Sequence, residues 1–118
     1  NKLEQELIFN TLRTYEHERN ISLDISSYSD GNSFLNTYVP GDFDLIFMDI
    51  QMPVMNGYEA TAAIRTSNIP AARSVPIVAM TANAFAEDVQ LARSAGMNEH
   101  ISKPLDMTRL RDVMRKWL

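Results

Sequence analysis

The sequence predicts an α/β domain with a parallel sheet and helices on both faces. Three observations carry this. Residues 45–48 and 75–80 are unbroken apolar runs of strand length, as expected of strands buried on both faces. Stretches of helical periodicity separate such runs along the chain. Polar residues, Asp49, Thr81 and Lys103, stand where successive strands end. In a parallel sheet those ends share one edge, the edge at which open α/β sheets bind ligands.

In chain order, Asn1 with Glu4 three places on forms a capping-box pattern, and Leu3, Leu7, Ile8, Leu12 and Tyr15 recur at helical spacing. A helix over Lys2–Arg19 follows, stopped at Asn20, with His17 exposed and Glu16 and Glu18 solvating its last turns. Ile21, Leu23 and Ile25 alternate with Ser22, Asp24 and Ser26, which predicts a strand with one polar face over residues 21–26. After a turn at Ser29, Asp30 and Gly31, the residues Phe34, Leu35 and Tyr38 mark a short helix ended by Pro40 and Gly41. A strand over residues 44–48 comes next, and a helix starting at Gly57 carries Ala60, Ala63 and Ile64 on one side. Residues 66–74 read as an irregular, exposed connection to the strand over 75–80. Val89, Ala92 and Ala95 line a further helix stopped by Gly96, and Glu99–Ser102 is a short strand leading to Lys103 and Pro104. Asp106 caps a last helix with Met107, Leu110, Met114 and Trp117 along one face. Glu87 and Asp88 read as ordinary helix solvation, and Met52 and Met55 as loop packing. The chain begins with a helix, whereas right-handed parallel crossovers ordinarily start from a strand.

Composition narrows the function classes. The 118 residues suit one domain, and 45% hydrophobic with 22% charged residues is the balance of a globular protein. A net charge of −4 argues against non-specific nucleic-acid binding, which needs a basic footprint. The chain has no cysteine, which excludes disulfides, thiolate catalysis and zinc–sulfur sites. No apolar run approaches the ~20 residues of a membrane span, so a cytoplasmic location without membrane insertion is expected.

Asp49 taken alone is a nucleophile, a metal ligand or a helix cap. A carboxylate, a hydroxyl and an ammonium around one crevice suit phosphoryl transfer: the carboxylate attacks phosphorus while the donors neutralise charge on the transferred oxygens. Each residue also has a plainer reading, with Thr81 merely ending a strand, Lys103 solvated and His100 an edge residue.

The segment Asp44-Leu45-Ile46-Phe47-Met48-Asp49-Ile50-Gln51-Met52-Pro53-Val54-Met55-Asn56-Gly57 resembles the phosphoacceptor segment of response-regulator receiver domains. The resemblance continues through Pro76-Ile77-Val78-Ala79-Met80-Thr81-Ala82-Asn83-Ala84 and through Ala95-Gly96-Met97-Asn98-Glu99-His100-Ile101-Ser102-Lys103-Pro104. It implies a flavodoxin-like (CheY-like) three-layer sandwich with a parallel sheet in the order 2-1-3-4-5. It implies Asp49 as the acceptor of a phosphoryl group from a phosphohistidine on a histidine kinase or histidine phosphotransfer protein. Gln51 would offer its backbone carbonyl to Mg²⁺ beside Asp49, and Thr81 would hydrogen-bond the phosphoryl oxygen, with Ala82 keeping the approach open. Lys103 would pair with the phosphoryl group, and its bond to Pro104 would be cis. Thr81 and His100 would be the switch pair. The run from Thr81 to Asp88 resembles receivers attached to hybrid histidine kinases. An isolated domain of this kind is not an enzyme beyond its own aspartyl phosphorylation and dephosphorylation.

Members of the family open with an apolar strand ending in a pair of acidic residues that bind Mg²⁺. By this alignment Asn1 stands just after that pair, so residues 1–118 are expected to be a receiver lacking its first strand and both carboxylates. Truncation of an ordinary receiver is the expected reason, since the other motifs are intact, and a variant that does without the strand is the alternative. The missing strand would lie between those of residues 21–26 and 44–48, and its loss would weaken Mg²⁺ binding and invite a homodimer or a strand-swapped assembly. A receiver-like interaction or dimerisation module that is never phosphorylated is the alternative function. A haloacid-dehalogenase-type hydrolase is set aside, because it needs an acid two places after the nucleophile, where Gln51 stands.

Overall fold

The computed structural model describes residues 2–28, 31–39, 41–50, 56–66, 69–81 and 86–118. Its helices are α1 (Lys2–Arg19), α2 (Gly31–Thr37), α3 (Gly57–Arg65), α4 (Pro70–Ser74), α5 (Ala86–Ala95) and α6 (Met107–Trp117). Its strands are β1 (Ile46–Asp49), β2 (Ile77–Thr81) and β3 (Glu99–Ser102). They form one parallel sheet in the order β1-β2-β3. The chain divides into two units, residues 28–103 and residues 1–27 with 104–118.

In the sheet-bearing unit, pairing of Ile46 with Ile77 and of Met48 with Ala79 puts these four residues on one face. Phe34 of α2, Ala60 and Ile64 of α3, Ala72 of α4 and Ala92 of α5 pack with them in one buried cluster, joined by Val75 and Met97. Every residue of β2 is buried, as its unbroken apolar run implies for a central strand. Phe34, Tyr38 and Phe43 pack ring against ring and extend the cluster along α2.

The other unit is described by itself. Thr11 and Tyr15 are the buried positions of α1, whereas Leu3 is exposed; Leu110, Val113 and Met114 are buried on α6. The expected stripe on α6 therefore turns toward Val113, leaving Met107 exposed and Trp117 only partly covered. Asp106 does cap α6, its Oδ1 accepting the Thr108 amide at 2.8 Å. Asn20 ends α1 with a φ of 53°, and the Ile21 amide returns to the Glu16 carbonyl at 3.1 Å. Asn1, the expected cap of α1, lies outside the described residues.

Three expectations are corrected. Residues 21–26 are not a strand: alternation supplies only a face, and a strand also needs a neighbour to complete its hydrogen-bond ladder. Among the described residues none pairs with this segment. Residues 66–74 are not wholly irregular, because Pro70 presets φ for the first turn of α4 and Ala72 buries its methyl in the core. Glu16 and Glu18 are not simply solvated. Glu16 accepts the Leu23 amide at 2.6 Å and an Arg13 N–H at 3.1 Å, and Glu18 pairs with Arg111 of α6.

Candidate phosphoacceptor site

Asp49 ends β1, Thr81 ends β2 and Lys103 directly follows β3, so the three residues lie at one edge of the sheet. The Lys103 ammonium donates to Asp49 Oδ2 at 2.9 Å. The Lys103 amide donates to the Thr81 carbonyl at 2.7 Å, which ties the lysine to the end of the central strand. The Ile50 amide donates to the Met80 carbonyl at 3.0 Å and continues the β1–β2 ladder past the aspartate. Thr81 is buried, whereas the Asp49 and Lys103 side chains keep 31% and 19% of their surface exposed, so the carboxylate is partly open to solvent. Strand register puts Thr81 and His100 on the same face, with His100 paired to Ala79 and half-buried. Gln51 lies outside the described residues, as do Ala82, Met52 and Met55.

Gly57 is a requirement of the site that the sequence signals only as an Asn-Gly pair. A Cβ at this position would stand 2.7 Å from the Asp49 carbonyl oxygen and 3.0 Å from the Ile50 Cα. The Gly57 amide donates to the Ile50 carbonyl at 3.1 Å, and Asn56 Oδ1 caps α3 by accepting the Glu59 amide at 2.9 Å. Only a residue without a side chain lets the start of α3 sit this close behind the aspartate.

Mg²⁺ takes a near-octahedral set of hard oxygens. Among the described residues no group of three Asp, Glu, His or Cys side chains could hold a metal ion. Asp49 contributes a carboxylate, and one of its oxygens is already engaged by Lys103. These donors do not by themselves make a Mg²⁺ site.

The model of the response regulator receiver domain matches residues 4–115. The chain belongs to the response regulator receiver family. Receivers of sensor kinases are prominent among its relatives. It is 39% identical over 88 residues to the sensor protein GacS of Pseudomonas syringae, a match covering 74% of this chain and 10% of that protein. It is 44% identical over 72 residues to probable histidine kinase 2 of rice, covering 61% of this chain and 7% of the kinase. The chain thus spans about a tenth or less of the length of these relatives. The crystal structure of the receiver domain of sensor histidine kinase PA1611 from Pseudomonas aeruginosa, with magnesium coordinated in its active-site cleft, superposes with a TM-score of 0.81. That match has 32% identity and covers 99% of this chain and 89% of that one. The chemotaxis protein CheY4 of Vibrio cholerae, with 23% identity and a TM-score of 0.74 over 94% of this chain and 91% of its own, supports the fold alone. The receiver has the expected flavodoxin-like, CheY-like α/β fold, and its role is in two-component phosphorelay signalling.

Proposed function

We propose that this receiver accepts a phosphoryl group on Asp49 from a phosphohistidine of a histidine kinase or histidine phosphotransfer protein. An Asp49 carboxylate oxygen attacks phosphorus, the P–N bond breaks, and the imidazole leaves and regains a proton. The observation that carries this reading is the 2.9 Å contact of the Lys103 ammonium with Asp49 Oδ2 at the carboxyl edge of the sheet. The ammonium lowers the cost of bringing an anionic phosphoryl group to an anionic carboxylate. It then has a phosphoryl oxygen to pair with once the acyl phosphate has formed. Thr81 donates its hydroxyl to another phosphoryl oxygen, and Thr81 with His100 forms the switch that changes the surface around α5. The isolated domain turns over no substrate besides its own phosphoryl aspartate, and it acts in the cytoplasm without binding nucleic acid. No helix among the described residues is long and apolar enough to cross a membrane. The family match does not favour the reading as a module that is never phosphorylated.

The test is labelling of the full-length protein by its phosphohistidine donor or by acetyl phosphate. The expected label is sensitive to hydroxylamine and falls to background in Asp49→Asn, with circular dichroism unchanged. Acid-stable label retained in that variant would move the acceptor elsewhere.

A second reading concerns residues 1–118 as a receiver lacking its first strand, with Mg²⁺ at Asp49 and the Gln51 carbonyl. Its support is that β1 pairs on one side with β2 and has no strand on the other among the described residues. An apolar strand ending in two carboxylates, from the same polypeptide or a second copy, would cover that edge and add hard oxygen ligands. For residues 1–118 alone we expect weak Mg²⁺ binding and a concentration-dependent homodimer. Receiver-like Mg²⁺ affinity in a titration would overturn the first expectation, and a monomer at all concentrations in sedimentation the second.

A further inference from the structure

At the amino edge of the same sheet, Arg65 at the end of α3 spreads its guanidinium over three acceptors. Nε donates to the Gly96 carbonyl at 2.9 Å, Nη1 to the Ala72 carbonyl at 3.1 Å, and Nη2 to Asn98 Oδ1 at 2.8 Å. Asn98 Oδ1 also accepts the Ile77 amide at 2.9 Å, while the Asn98 amide donates to the Ile77 carbonyl at 2.8 Å. Asn98 thus brackets Ile77, the first residue of β2, through both its backbone amide and its backbone carbonyl. The link from α5 to β3 is held at both ends: Gly96 has a φ of 106°, and its carbonyl and the Asn98 side chain meet one guanidinium.

This bracket stands where the side chains of β3 itself do little to fix its register. Within β3 only Ile101 is buried; Glu99 and His100 are half-buried and Ser102 is exposed. A strand with one buried apolar residue has little to stop it slipping. A slip of one residue would carry Lys103 about 3.3 Å along the strand and turn its side chain to the opposite face. The ammonium would then leave Asp49.

We infer that Arg65 and Asn98 are positioning residues that lock the register of β3 and thereby hold Lys103 at Asp49. The inference rests on the phosphoacceptor reading above, and its test separates the two. In the full-length protein, Asn98→Leu removes the acceptor shared by Ile77 and Arg65, and Asn98→Asp keeps it. Arg65→Lys keeps the charge but cannot span three acceptors. Hydrogen exchange of the peptide covering residues 99–103 is expected to speed up on the order of tenfold in Asn98→Leu and Arg65→Lys. The rate of labelling by acetyl phosphate in the presence of Mg²⁺ should fall on the order of tenfold or more, since an ångström-scale misplacement is that costly. Asn98→Asp should restore both to within about threefold of wild type, because a carboxylate accepts the same two N–H groups. Ile64→Val is the control for lost stability without loss of the bracket. Wild-type exchange over residues 99–103 in Asn98→Leu would overturn the inference. So would equal slowing of labelling in an Ile64→Val protein of matched melting temperature, or failure of Asn98→Asp to rescue. An unlabelled wild-type protein would instead defeat the phosphoacceptor reading, and the exchange data would still decide the register.

Discussion

The two edges of the sheet are each organised around one long cation, and they use it differently. At the carboxyl edge the Lys103 ammonium makes a side-chain contact with a carboxylate that stays partly open to solvent. At the amino edge Arg65 makes three, two of them to backbone carbonyls. An ammonium on a flexible stem can exchange one oxygen for another at little cost, whereas a planar fork seated on fixed acceptors is committed to one arrangement. Burial lowers the pKa of Arg65 from its ordinary value, yet carbonyl acceptors do not titrate, so the seat persists across the working pH range. On the proposed phosphoacceptor reading, the edge that rearranges is held by a contact that can be exchanged, and the opposite edge is held by a clamp.

The largest expected effect breaks the clamp. Arg65→Ala should cost about 2–4 kcal/mol in denaturant unfolding, since it leaves acceptors partly shielded from water without their donor. Lys103→Ala should cost no more than about 1 kcal/mol, because its ion pair is partly exposed and screened, while its labelling rate falls steeply. Similar stability losses in the two variants would erase the contrast.

Next in size is the seat of α3 behind Asp49. Gly57→Ala should destabilise by about 1–3 kcal/mol, because backbone atoms must move to admit the methyl group. It should also slow labelling, showing that the carboxyl edge is rigid in its backbone and adjustable in its side chains. Wild-type stability in this variant would mean that α3 shifts without cost.

The smallest effect concerns an anchor that does titrate. Glu16 is held below its ordinary pKa of 4.5, first by the Leu23 amide and then by Arg13. A lowered folded-state pKa means that the stabilisation is present above pH 4.5 and is lost as pH falls through the folded value. Exchange of the Leu23 amide, corrected for intrinsic rate, should therefore rise as the solution is acidified below that range. The peptide at residues 96–98, next to Arg65, should show no such step. A matching acid step at both places would mean that the whole fold, and not the Glu16 contact, is titrating.

Much of this was legible in the residues. The apolar runs at 45–48 and 75–80 imply strands whatever surrounds them, because a segment with no polar face has to be buried on both sides. Gly96 and Asp106 mark helix boundaries through chemistry local to a few residues. The order of Asp49, Thr81 and Lys103 along the chain implies their meeting at one edge, since parallel strands place their ends together.

What local pattern could not decide depended on a partner distant in sequence. The alternation at residues 21–26 is that of a strand, but the described chain supplies no neighbour for it, and so it is not one. Glu18 reads as a solvated acid until α6 brings Arg111 to it. Nothing local to Arg65 signals its partners; that it meets Gly96 and Asn98, more than thirty positions away, follows only from the packing of α3 and α5 beside β2 and β3. Composition and periodicity determined which segments would be buried and where the chemistry would stand. Tertiary structure alone decided which backbone groups lacked partners and which side chains met them, because the great majority of buried donors and acceptors are satisfied wherever in the chain the partner lies.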